Sequence, residues 1–364
     1  MKQISEIDPN LEVKDVVEKN DIEWISAADK RFRVEGFVSS CVYEKPKPEY
    51  IRLPYSTVQD LNDGMKYLSL NTAGGCVRFK TDSPYICIHS ESRSLCIMSH
   101  MPMSGIAGFD LYTDNNTEFV KTFLPPVSLS YGPLAFEGEH SFGSSKLRDI
   151  TINFPLYNRV DVLNIGLKAG SRILPADGYA NDKPVVYYGS SITQGACASH
   201  PGNSYEGFVS RALNLGQINL GFSGNCKGEK VIAEYLAKLP MAAFVFDYDF
   251  NAPSPEHLRQ THYPFYKIIR EAQPELPIIC MSRAHDPNGD DSAARREVIE
   301  DTVHRAKAEG DRNIYMLDGR GLFDGDFADC CTVDTVHPND LGFYRMAQAL
   351  IPVLENVLGI KRRI

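Results

Sequence analysis

Four short segments of the chain carry side chains suited to acyl-group chemistry. They are Gly189-Ser190-Ser191-Ile192-Thr193-Gln194-Gly195, Gly221-Phe222-Ser223-Gly224-Asn225, Asp247-Tyr248-Asp249-Phe250-Asn251 and Asp334-Thr335-Val336-His337-Pro338-Asn339-Asp340. A serine hydroxyl attacks an ester carbonyl only when a base takes its proton, and an imidazole oriented by a carboxylate is such a base. Backbone N–H groups beside a glycine, and the side-chain amide of an asparagine, are donors that stabilise the oxyanion formed by that attack. Taken singly, each segment has a plain structural reading: a strand-to-helix turn, a loop, a turn ahead of Ala252-Pro253, a cap for the last helix. Three of them follow apolar runs and the fourth opens the last helix. In an open parallel sheet ligands bind beyond the carboxyl ends of the strands, and that shared placement favours catalysis.

The elements that must hold these segments change character near residue 180. From about Arg31 to Leu167, short runs alternate apolar and polar residues, as in Val77-Arg78-Phe79-Lys80, Phe119-Val120-Lys121-Thr122-Phe123 and Ile150-Thr151-Ile152-Asn153-Phe154. Alternation with period two marks antiparallel strands with one face on a core, and many such strands suggest a jelly-roll-like β-sandwich over residues 31–175. Residues 1–30 read as a peripheral extension, and 176–182 as a linker. Beyond it the strands become continuous apolar runs: Val185–Tyr188, Ile218–Leu220, Phe244–Phe246, Ile278–Cys280 and Ile314–Leu317. Between them lie helical patterns, one opening after Gly228, one capped by Ser292 and stopped by Gly310, and one after Asn339 that carries Leu341, Phe343, Tyr344, Met346, Leu350 and Leu354. Residues 183–364 therefore predict a three-layer α/β/α domain.

With their order and spacing, the four segments resemble the blocks of the SGNH (GDSL-type) esterases, across roughly Lys183 to Leu358. The resemblance makes Ser191 the nucleophile, His337 its base and Asp334 the carboxylate that orients the imidazole. It makes the N–H groups of Ser191 and Gly224 and the amide of Asn251 the oxyanion hole. The run GSSITQGACASHPGNSY from Gly189 to Tyr205 is similar to a bacterial subgroup with an N-terminal β-rich domain named for a Gly-x-Asp-Leu-Tyr motif, which Gly108-Phe109-Asp110-Leu111-Tyr112 supplies. Two positions depart from the superfamily pattern. Ser190 stands where an aspartate usually precedes the nucleophile, and Asp249-Phe250-Asn251-Ala252 replaces Gly-x-Asn-Asp. The resemblance implies hydrolysis of short acyl esters through an acyl-enzyme, plausibly of acetyl groups on a carbohydrate. An acyltransferase of the same fold, or a carbohydrate-binding protein with an inactive hydrolase half, are its alternatives.

Other features narrow the field. The sum of 38 basic and 47 acidic residues gives a net charge of −9, which argues against a nucleic-acid binder. The longest apolar run, Met241 to Phe246, is far too short to span a membrane. The start of the chain lacks the apolar core of a signal peptide, so a cytoplasmic protein is expected. Nine cysteines, two of them adjacent at 330 and 331, fit reduced, buried thiols better than a disulfide framework. His200 and Arg283, in loops after strand ends, are candidates to line the substrate pocket. His257, His262 and His304 read as structural or solvated, and Cys197 as a packed thiol. Asp110 and Tyr112 are expected to be structural, with the tyrosine packing and the aspartate tying a turn. No His/Cys/Asp spacing matches a zinc site and no Gly-rich phosphate loop occurs, so neither a metal nor a nucleotide cofactor is implied. The partner expected is a small-molecule or oligosaccharide ester.

Overall fold

The computed structural model describes residues 6–9, 12–126, 131–284 and 291–364. The alternating segments of the first half form two antiparallel sheets. One has the order β1 (Ile22–Ser26), β9 (Val162–Lys168), β4 (Tyr85–Ser92), β7 (Leu134–Ser141). The other runs β10 (Ile173–Leu174), β3 (Cys76–Thr81), β8 (Arg148–Asn153), β5 (Phe109–Thr113), β6 (Glu118–Phe123), with β2 (Arg33–Glu35) also on β3. Alternate residues of both sheets, among them Phe79, Ile86, Ile88, Phe109, Leu111, Ile150, Ile152 and Ile165, are buried in one apolar cluster, as in a β-sandwich. Four short helices, α1 (Ser39–Tyr43), α2 (Tyr55–Val58), α3 (Asp63–Leu68) and α4 (Met103–Ile106), lie in the connections.

The second half is a parallel sheet of order β12 (Leu215–Gly221), β11 (Asn181–Gly189), β13 (Ala243–Asp247), β14 (Ile278–Met281), β15 (Ile314–Leu317). Strand β11 pairs with β12 on one side and β13 on the other, so the order reverses there and opens a crevice at its carboxyl end. Its helices are α5 (Ser191–Gln194), α6 (Tyr205–Leu213), α7 (Lys230–Leu236), α8 (Pro255–Ala272), α9 (Ser292–Ala308) and α10 (Asp340–Leu358). Caps set several of their starts: the Ser204 side chain accepts from Gly207 N, Ser254 from His257 N, and Asn339 from Leu341 N and Gly342 N.

Because strand side chains alternate, the sheet has two buried faces. Val186, Tyr188, Phe244, Phe246 and Ile278 pack with Ile232, Leu236, Leu258, Phe265, Val298 and Val303 of α7, α8 and α9. Val185, Tyr187, Val245 and Ile279 face Val209, Phe343, Met346 and Leu350 of α6 and α10. That second cluster continues without a break into the β-sandwich core, through Leu156, Tyr157, Ile192 and Tyr205. The two halves share a core rather than meeting across a thin linker.

Three expectations change in detail. Residues 22–26, placed in a peripheral extension, form edge strand β1 paired with β9 from Ile22 opposite Lys168 to Ser26 opposite Asn164; residues 1–5, 10 and 11 of that extension lie outside the described ones. Strand β11 begins at Asn181, inside the expected linker. Ser292 is the first helical residue of α9 rather than its cap; its hydroxyl accepts from Arg283 instead.

Candidate active site

Strand β11 ends at Gly189, and the chain turns at once into the single turn of α5. Ser190 fills the cap position there: its hydroxyl accepts from Ile192 N at 3.1 Å, the task that a carboxylate at this position would also perform. Ser191 follows, largely buried, with its carbonyl held at 3.1 Å by the hydroxyl of Tyr157 from the β-rich half. Gln194, also in this turn, donates to Leu156 O and accepts from Ser223 N, which ties the Ser191 turn to the second block.

His337 lies 146 residues downstream, yet its Nε2 is 2.9 Å from Ser191 Oγ and its Nδ1 is 2.7 Å from Asp334 Oδ2. The Asp334-x-x-His337 turn is tight. Asp334 Oδ1 accepts from the backbone N–H groups of Val336 at 3.1 Å and His337 at 2.7 Å, and Thr335 between them adopts φ +68°. A β-branched residue in the left-handed region is strained, and such strain persists only where surrounding bonds hold it. Partial burial pushes the Asp334 carboxyl upward, but the hydrogen bonds from His337 and Val336 outweigh it and hold the group at about 2. The carboxylate is therefore charged at any working pH.

The second block leaves β12 at Gly221. A Cβ there would stand 2.2 Å from Gln194 N, so only glycine lets the strand end meet α5. Gly224 has φ +67° with open space where a Cβ would project, so the backbone conformation, not crowding, requires glycine. Asn251 donates through Nδ2 to Phe222 O at 3.0 Å, joining the third block to the second. An amide nitrogen carries two hydrogens, so one remains for an oxyanion.

The structure brings Ser191, His337 and Asp334 into one hydrogen-bonded row, and joins Asn251 to the Gly224 loop. His200 and Arg283 occupy other stations. Arg283 caps the third block: Nε and the backbone N bond Asp249 Oδ2, Nη1 bonds Ser292, and the guanidinium lies 4.3 Å from the Phe250 ring centre. His200 Nδ1 bonds Asp110 Oδ2 at 2.7 Å while its ring stacks on Phe119 at 4.6 Å. His262 is fully buried against Phe246, and burial lowers it to about 3; its Nδ1 lies 2.9 Å from Thr302 Oγ1. Cys197 is a packed thiol pushed up to about 12 by burial. All nine cysteines are free.

Several residues at the site escape sequence reasoning because they come from the other half. Arg52 is buried, donates to Asn219 O, Gly221 O and Leu68 O, and lies over the Phe222 ring; burial lowers its guanidinium to about 9. It braces the second block from below. The Gly-x-Asp-Leu-Tyr motif acts likewise. Asp110, at 0 % exposure, accepts from Gly202 N at 2.5 Å, His200 Nδ1 at 2.7 Å and Asn153 Nδ2 at 2.7 Å. Tyr112 packs against Gly202 and under the Arg211 guanidinium. The same loop, through Ser199 N, Ser199 Oγ and Asn203 Nδ2, holds the carboxylate of Asp340, three residues after His337. So the aspartate ties a loop as expected, but one belonging to the α/β half. His100, from the connection after β4, lies with its ring centre 5.2 Å from that of His337.

Among the described residues no helix is long and apolar enough to cross a membrane. The model of the GDSL-like lipase/acylhydrolase family matches residues 182–355, and that of the N-terminus of SGNH-hydrolase-type esterases, named GxDLY, matches residues 22–173. No curated protein matches the sequence. Among solved structures, a GDSL-like lipase from Bacteroides ovatus superposes with a TM-score of 0.83 at 27 % identity, over 94 % of this chain and all of that one. The salicylyl-acyltransferase SsfX3 of a tetracycline biosynthetic pathway gives 0.75 at 20 % identity, over 94 % of this chain and 99 % of that one. The acetyl xylan esterase Est2A of the rumen bacterium Butyrivibrio proteoclasticus gives 0.59 at 14 %, over 93 % and 99 %. The chain belongs to the SGNH, GDSL-like ester hydrolases, with a GxDLY N-terminal half built onto the hydrolase half.

Proposed function

We propose that the protein is a serine esterase that removes short acyl groups, foremost acetyl, from carbohydrate esters. The observation that carries this is the row from Ser191 Oγ to His337 Nε2 at 2.9 Å and from His337 Nδ1 to Asp334 Oδ2 at 2.7 Å. Ser191 Oγ attacks the ester carbonyl as His337 Nε2 takes its proton. The oxyanion is received by the N–H groups of Ser191 and Gly224 and by Asn251 Nδ2. The intermediate collapses, His337 gives the proton to the departing sugar oxygen, and the acyl group stays on Ser191. Water, deprotonated by His337, then releases the acid. Asp334, charged throughout, holds the ring and balances the imidazolium formed in each step.

A carbohydrate ester as substrate is supported by the fold shared with carbohydrate esterases. The net charge of −9 also suits a neutral ester better than a polyanion. Nine free cysteines go with a reducing, cytoplasmic setting. The likeness to an acyltransferase over most of the chain keeps a non-water acceptor as the second reading.

The test is an acetate-release screen over acetylated mono- and oligosaccharides, with p-nitrophenyl acetate as reference and Ser191→Ala as control. Hydrolysis that disappears in Ser191→Ala supports the assignment. Full activity in that variant refutes it, and acyl transfer to an added alcohol in preference to water selects the second reading.

A further inference from the structure

His100 places a second imidazole beside the Ser191–His337–Asp334 row. It comes from the β-rich half, where its backbone carbonyl accepts from Cys197 Sγ at 3.3 Å, so the loop carrying it is anchored to the segment just after the nucleophile. Its ring is tilted 38° to that of His337 at 5.2 Å between centres. A ring nitrogen of His100, one of His337 and a carboxylate oxygen of Asp334 all lie within 4.8 Å of one another. Among the described residues this is the one group of three or more His, Cys, Asp or Glu donors that converges in this way. Two of the three, Asp334 and His337, are accounted for by acyl chemistry. His100 is not.

We propose that His100, His337 and Asp334 form an inhibitory zinc site, through which a divalent metal ion shuts the esterase off reversibly. Two imidazoles and a carboxylate form a borderline-soft N,N,O donor set that suits Zn²⁺, with a fourth position left for water. Ligand atoms about 2.0–2.2 Å from one tetrahedral ion stand roughly 3.4 Å apart, so a spread of up to 4.8 Å closes on an ion with side-chain movement of roughly 1.4 Å. His100 and His337 are part-exposed and Asp334 is exposed, so an ion reaches the group from solvent. Once bound, the metal occupies an imidazole nitrogen of His337 and offsets the charge of Asp334. The ring then has no role to play as base for Ser191. The ion acts here as a ligand that competes with catalysis and takes no part in it.

The inhibition arm of the test rests on the esterase reading; the binding arm does not. Zinc chloride is titrated calorimetrically into the full chain as wild type, His100→Ala, His100→Phe and His337→Ala. The phenylalanine keeps a ring against His337 but offers no lone pair, so it separates metal binding from packing. In parallel, p-nitrophenyl acetate hydrolysis is measured with zinc and after EDTA, each variant being compared with its own zinc-free rate. The expected result is zinc binding in the wild type that weakens by more than about tenfold in all three variants, since losing even an outer-shell partner costs that much. Inhibition should be reversed by EDTA and relieved to the same extent in both His100 variants. Zinc that fails to bind the wild type, or that binds or inhibits the His100 variants as tightly, overturns the site. A chain that binds zinc through His100 but hydrolyses no ester upholds the site and counts against the esterase assignment alone.

Discussion

Replacing Asp110 by asparagine tests whether the β-rich half takes part in catalysis. The carboxylate is fully buried and accepts from Gly202 N, His200 Nδ1 and Asn153 Nδ2. An asparagine keeps one acceptor oxygen and turns an NH₂ group toward at least one of those donors. Losing one charge-assisted bond of this kind costs about 1.5–3 kcal/mol, with a melting temperature lower by a few degrees. The kinetic effect follows from what the 199–203 loop does next, because Ser199 and Asn203 hold Asp340 at the first turn of α10, just past His337. A catalytic group displaced by 1 Å loses on the order of 10²-fold in rate. The loop also keeps its bond from Ser104 Oγ to Ser199 O, so a smaller shift and a fall in kcat of roughly tenfold are expected. KM for p-nitrophenyl acetate should stay near the wild-type value, because no ground-state contact is removed. Asp110 is thus a positioning residue. Thermal melts beside Michaelis–Menten curves decide the matter: an Asp110→Asn protein less stable but with unchanged kcat would refute the positioning role and leave only a fold element.

Two further substitutions probe the α/β half. Asn251→Ala removes the side-chain donor proposed for the oxyanion hole and should lower kcat by about 10²–10³-fold with the fold intact by circular dichroism; activity within a few-fold of wild type would remove Asn251 from that role. Asp247, at the end of β13, is pushed up to about 7 by burial and by the Asp249 carboxyl, against hydrogen bonds from the Thr193 and Tyr205 hydroxyls. Between about pH 4 and 7 the folded protein therefore keeps a proton that the unfolded chain has released, so this group makes stability fall as pH rises through that window and level off above it. Asp247→Asn retains an acceptor without the charge, and its melting temperature should exceed that of wild type by a margin that grows from pH 5 to pH 8. A margin constant with pH would show that Asp247 does not titrate in this range.

What could be read from the sequence follows how local the physical cause was. Strands such as Phe244–Phe246 and Ile278–Cys280 announced themselves because burial on both faces demands continuous apolar runs, and they stand in the parallel sheet as β13 and β14. The Asp334-x-x-His337 turn was legible because its hydrogen bonds close within four residues. Arg52, Tyr157 and His100 were not, since each meets its target across a sequence gap that no periodicity spans. Tyr157 reads as one more apolar position, and Arg52 as one more surface cation, until the carbonyls of Asn219 and Gly221 are seen around it. The short apolar run at Ile22–Ile25 reads as part of an extension for a related reason: a five-residue strand flanked by polar residues carries too little period to place it before β9 is found beside it.

The boundary near residue 180 has the larger consequence. A change in hydrophobic pattern near residue 180 is real, but it marks a change of sheet type rather than the end of a core. Tyr157 holds the carbonyl of Ser191, Arg52 braces the turn that leads to Gly224, and Asp110 with Tyr112 grips the loop behind His337. The first two join the β-rich half to the first and second blocks, and the third joins it to the 199–203 loop that holds Asp340 of the last block. A hydrolase half cut at the linker would expose the face of Ile192, Tyr205 and Val209 that the sandwich core covers, and would take the Arg52 guanidinium from the Gly221 carbonyl and the Tyr157 hydroxyl from the Ser191 carbonyl. The Gly-x-Asp-Leu-Tyr motif is then tied, through the 199–203 loop and Asp340, to the turn that carries Asp334 and His337, although its aspartate lies apart from the Ser191–His337–Asp334 row.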